Sequence, residues 1–136
     1  MNMLPPSDAT LLVRTDFSDQ KAWEALRTAV GSPTEEGFMA TVEVLDDRAY
    51  QDLTTEQILG LVPEDHQYRL LAVADKTTMS SSEMPLLVID LFEEPWGVIR
   101  VIASEFWSIE NNLSLANMDF DEFAGAVDED GIFRGF

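Results

Sequence analysis

Apolar positions along this chain recur with two different periods, and the switches between them mark out the elements. Leu11-Leu12-Val13-Arg14-Thr15 is a short apolar run closed by Asp16-Phe17-Ser18, which predicts a first strand. Ala22, Trp23, Leu26, Ala29 and Val30 then return at helical spacing, with Ser18 placed to cap the helix and Gly31-Ser32-Pro33 to stop it. From Met39 to Leu45 the period falls to two, with Ala40, Val42 and Val44 on one face, as in a half-exposed strand near a sheet edge. Thr54 and Gln57 form a capping box and Leu53 and Ile58 a hydrophobic staple, so a second helix starts there and ends at Pro63.

Tyr68 to Ala74 is almost continuously apolar, the mark of a buried central strand, and Leu86–Phe92 and Val98–Ala103 predict two more. The link Glu93-Glu94-Pro95-Trp96-Gly97 has hairpin length, so the last two strands should pair antiparallel. Lys76 to Pro85 is barely long enough for a parallel crossover, which needs about a dozen residues or more, so the third and fourth strands should also run antiparallel. Ser104 is placed to cap a helix carrying Phe106, Trp107, Ile109 and Leu113, with Asn117 as its left-handed stop. A second capping box, Asp119 with Glu122, starts a final helix, and the apolar tail from Gly131 to Phe136 should pack back on the domain. The order β-α-β-α-β-β-β-α-α predicts one α/β domain over residues 1–136, with a mixed five-stranded sheet. Its first three strands should be parallel through right-handed crossovers.

Charge narrows the functional classes. Of 136 residues, 26 are acidic and 8 basic, a formal net charge of −18. Binding nucleic acid through phosphate contacts requires clustered Lys and Arg, and attraction to an anionic membrane surface requires the same. With no cysteine and a single histidine, His66, disulfides, a thiol nucleophile and multi-histidine metal sites are excluded. Met1 to Thr10 has no signal-peptide pattern and the longest apolar run is interrupted by Asp90, so the expectation is a cytoplasmic protein.

Ligands of open α/β sheets bind at the carboxyl ends of parallel strands. Asp16, Asp46, Asp47 and Asp75-Lys76 occupy those positions, joined by Glu105 if the fifth strand runs parallel to the third. Convergent carboxylates there would suit a hard cation such as Mg²⁺, with Lys76 and Thr77 facing a phosphoryl oxygen. The competing reading is that acids beside helix starts simply satisfy backbone N–H groups and the helix dipole. His66 lies in a polar loop with no nucleophile elbow anywhere in the chain, so a catalytic triad has no support. Asp119-Phe120-Asp121 and Asp128-Glu129-Asp130-Gly131 lack the ligand spacing of a calcium loop. Most aromatic residues of the last third fit a core stripe, whereas Trp96 at a turn tip could anchor a partner.

The stretches Glu105-Phe106-Trp107-Ser108-Ile109-Glu110-Asn111-Asn112-Leu113-Ser114-Leu115-Ala116-Asn117-Met118-Asp119-Phe120, Val127-Asp128-Glu129-Asp130-Gly131-Ile132-Phe133-Arg134-Gly135-Phe136 and Leu12-Val13-Arg14-Thr15-Asp16-Phe17-Ser18-Asp19 are distinctive. The chain resembles, over nearly its whole length, a family of small acidic single-domain actinobacterial proteins with a domain of unknown function. That resemblance implies no activity, ligand or catalytic residue. Two classes follow from the residues alone. One is a protein-binding module, inhibitor-like or immunity-like, whose acidic surface engages a basic partner through Trp96, Glu93 and Glu94. The other is a small-molecule or divalent-metal site, enzymatic or purely binding, at the carboxyl edge of the sheet. The absence of a catalytic motif favours the first.

Overall fold

The computed structural model describes residues 3–92 and 94–136. Six strands form one sheet: β1 (Thr10–Arg14), β2 (Val42–Leu45), β3 (Leu70–Ala74), β4 (Pro85–Asp90), β5 (Gly97–Ile102) and β6 (Ile132–Phe133). Their order across the sheet is β2-β1-β3-β4-β5-β6. β1 pairs parallel with β2 and β3, β4 runs antiparallel to both β3 and β5, and β6 adds in parallel to β5. The expected sheet of five strands is therefore one of six. The tail packs back, as its apolar sequence implies, and does so by contributing a two-residue edge strand.

The helices are α1 (Gln20–Val30), α2 (Thr55–Leu59), α3 (Lys76–Ser80), α4 (Phe106–Ser114) and α5 (Phe120–Ala124). Both predicted capping boxes are formed, at Thr54/Gln57 and at Asp119/Glu122. Other ends differ from expectation. Asp19, not Ser18, caps α1, its carboxylate accepting from the Ala22 N–H, and the helix is entered from an extended residue 19. Ser104 caps nothing; it lies within a 3-10 turn that runs directly into α4. The left-handed residue after α4 is Ala116, with φ 58°, rather than Asn117. α3 is an addition: Asp75 and Thr78 form a capping box in the segment between β3 and β4.

The central strands are buried on both faces, so alternate residues feed two cores. Leu12, Leu70, Ala72, Leu86, Val88 and Val101 face Trp23 and Leu26 of α1, Phe106 and Ile109 of α4 and Phe123 of α5. Leu11, Val13, Leu71, Val73, Leu87 and Ile89 face Ile58 of α2, Val62 and Tyr68. Phe133 of β6 packs edge-on to Phe123, with Phe136 against both, which explains why so short a strand is held. At Gly97 an added methyl group would overlap the Phe120 ring, so glycine there lets the Phe120 ring of α5 lie directly on the start of β5. Among the described residues no helix is long and apolar enough to cross a membrane.

Candidate functional site

β1, β2, β3 and β5 run the same way, so the acids predicted to meet at their carboxyl ends do reach one edge. There they are divided among separate internal partners. Asp46 pairs with Arg14 Nη1 at 3.2 Å and accepts from Trp23 Nε1 at 3.2 Å. The buried Arg14 guanidinium lies over the Phe17 and Trp23 rings and also donates to the Asp16 carbonyl and to Gln20. Asp16 accepts from the Ser18 N–H, and Asp47 caps a 3-10 turn through the Ala49 N–H. Asp75 is held by both terminal nitrogens of Arg100, at 2.7 and 2.8 Å, and by Thr78. Burial pushes the Asp75 carboxyl upward, but the Arg100 guanidinium and the Thr78 donors outweigh it and hold it below its ordinary value.

Glu105 lies against Gly135, half-buried, and desolvation raises its carboxyl above the ordinary range. Asp16, Asp52, Asp75 and Lys76 line one shallow cleft of about 260 Å³; Asp46, Asp47 and Glu105 do not reach it. Among the described residues no three His, Asp or Glu side chains are grouped to hold a metal ion. What this edge does chemically is clamp the sheet: Arg14 and Arg100 each tie a strand to a neighbouring loop.

The opposite edge, where β1, β3 and β5 begin and β4 ends, is differently built. Three clefts lie there in a row. The first, about 290 Å³, has Thr10, Arg69, Glu110 and Asn111 among its walls. The second, about 550 Å³, is bounded by Arg69, Asp90, Phe92, Met118, Asp119 and Phe120. The third, about 490 Å³, is bounded by His66, Phe92, Glu64, Glu94 and Trp96. Arg69 is shared by the first pair and Phe92 by the second. The Leu70–Asp90 register sets Arg69 beside Asp90, and the guanidinium binds that carboxylate through two nitrogens, at 3.0 and 3.2 Å. Its remaining nitrogen caps α4 by donating to the Leu113 carbonyl at 3.1 Å.

Phe92 packs one face on Arg69, 4.7 Å from ring to guanidinium, and is 69% exposed. Trp96, read from sequence as an exposed tip, is half-buried against the second core, with the His66 ring edge-on at 6.4 Å. Glu94 is exposed beside it, and Glu93 lies outside the described residues. His66 is itself half-buried, its Nδ1 3.0 Å from the Tyr68 carbonyl oxygen.

Glu110 is the other residue that the sequence reading passed over. It is 4% exposed and all its partners among the described residues are neutral. Thr10 and Ser114 hydroxyls donate to Oε2 at 3.1 and 2.6 Å, and the Thr41 N–H and Asn111 amide to Oε1 at 2.7 and 3.3 Å. The signal was present: Glu110 falls four residues after Phe106 and three before Leu113, inside the apolar stripe of α4.

The model of the family described as Domain of unknown function (DUF6924) matches residues 9–136. The chain belongs to this family. The match begins one residue before β1 and spans every strand and helix, so both edges of the sheet lie within the family's domain. A comparison with curated proteins found no match.

Proposed function

We propose that this member of the DUF6924 family is an acidic protein-binding module, inhibitor-like or immunity-like, which engages a basic protein through the edge where β4 ends. The observation that carries this reading is Phe92. A phenylalanine 69% exposed, between two clefts bearing Asp119 and Asp121 on one side and Glu64 and Glu94 on the other, joins an apolar anchor to a negative surround. That is the composition of an interface centre for a cationic partner. Trp96 and Glu94 take part as walls of the third cleft. The net charge of −18 steers such a partner electrostatically.

The test begins by identifying the partner through affinity capture from the native host and mass spectrometry. Stopped-flow association is then followed from roughly 50 to 500 mM salt, a range over which screening shortens markedly. Association should slow steeply with salt, and Phe92→Ala should speed dissociation with little effect on association. Salt-independent association, or a Phe92→Ala variant that binds as the parent does, would reject the reading.

A further inference from the structure

We infer that the cleft around Glu110 receives a lysine side chain of the basic partner. This rests on the partner reading above and assigns the cleft a ligand: a primary ammonium on an aliphatic stem. Glu110 keeps a carboxylate at the cleft wall, 4% exposed, with hydroxyl, amide and backbone donors but no cation among its described partners. The Glu110 side chain is itself shielded from water, so its charge projects further than that of a surface carboxylate. Among the described residues the one cation lining the cleft, Arg69, is neutralised by Asp90. Asp8 at the rim and the carboxyl end of α4 add negative potential of the same sign.

The rim is apolar where a lysine stem would cross it: Met39 is 43% and Leu115 70% exposed. Two of the donors on Glu110 can give way to an ammonium. The Asn111 contact is long, 3.3 Å, and that amide also donates to the Met39 carbonyl; Ser114 is exposed and can turn its hydroxyl to water. A carboxylate ligand would meet Glu110 and Asp8 unpaired, and an uncharged one would leave the potential unused. The cleft adjoins the Phe92 surface through Arg69, so one partner can occupy both.

The test needs no partner. The 15N-labelled protein is titrated with Nα-acetyl-L-lysine N-methylamide and, as the uncharged control, Nα-acetyl-L-norleucine N-methylamide. The lysine probe should give saturable shifts with a millimolar dissociation constant, centred on the amides of Thr41 and residues 110–115. The norleucine probe and the variant Glu110→Gln should each bind at least about tenfold more weakly. Should Glu110→Gln fail to fold, the rim variant Asp8→Asn with Leu115→Ser should fold and weaken the lysine probe several-fold. Equal binding of the two probes, shifts scattered over the acidic surface, or an unaffected rim variant would overturn the inference. Those outcomes leave the partner reading to its own salt and Phe92 tests, so the two can fail separately.

Discussion

Replacing Glu110 with alanine probes the most heavily bonded side chain outside the ion pairs. The carboxylate gathers four donors from three parts of the chain: Thr10 on β1, Thr41 ahead of β2, and Asn111 and Ser114 on α4. Thr10 is buried, so its hydroxyl loses its acceptor with little access to water, at a cost of about 1–2 kcal/mol. Thr41, Asn111 and Ser114 are exposed or half-buried and rehydrate, so each costs about 0.5 kcal/mol. Relief of the buried charge offsets part of this and lost packing of the stem adds to it. The net expectation is a loss of about 3 kcal/mol, or a melting temperature lower by about 10 °C for a chain this size. Glu110→Gln should cost less, because its carbonyl still takes the Thr41 N–H and the two hydroxyls can rotate to accept from its amide. Urea unfolding followed by tryptophan fluorescence reads both variants, with the slope unchanged. If alanine costs under about 1 kcal/mol, or glutamine costs more than alanine, the four-donor clamp is not what holds α4 to the sheet.

Three further outcomes follow from particular groups. The Tyr68 hydroxyl is buried without a partner among the described residues, and burial pushes it up to about 12, so Tyr68→Phe should leave stability unchanged or raise it by up to about 1 kcal/mol in the same urea assay. Glu105 is raised by desolvation, so its ionised form disfavours folding; Glu105→Gln should increase the melting temperature at pH 7, and the gain should vanish as pH falls and the parent glutamate protonates. Asp75 is lowered, so its contribution is present above the unfolded-state value near about 4 and lost as pH falls through the folded one. Asp75→Asn should therefore cost about 1–2 kcal/mol at pH 7, with the difference shrinking in acid, as read by thermal melts from pH 7 downward.

The parts of the fold that a pattern can carry were readable. Leu70 to Ala74 is apolar at every position because β3 is central and covered on both faces, and Thr54 with Gln57 announces α2 through chemistry confined to four residues. What escaped reading was either too short or set by distance. β6 is two residues long, and its place depends on Phe133 and Phe136 meeting Phe123. Ser18 and Asp19 are both competent caps, and only the observed backbone chooses between them.

The site was harder for a related reason. A rule about carboxyl ends selects Asp46 and Asp75, but Arg14 lies 32 residues from the first and Arg100 lies 25 residues from the second. No local pattern reveals that those carboxylates are already answered. Phe92 looked like the last residue of a strand; the strand stops at Asp90, and that two-residue difference turns a core position into an exposed one.

Hydrogen–deuterium exchange of the protein alone and with its captured partner locates the interface most directly. A partner docked at the edge where β4 ends predicts slowed exchange in residues 64–69, 90–97 and 110–121, with residues 16–20, 46–53 and 75–78 unchanged. Slowed exchange confined to the second set, at the carboxyl ends of β1, β2 and β3, would contradict it.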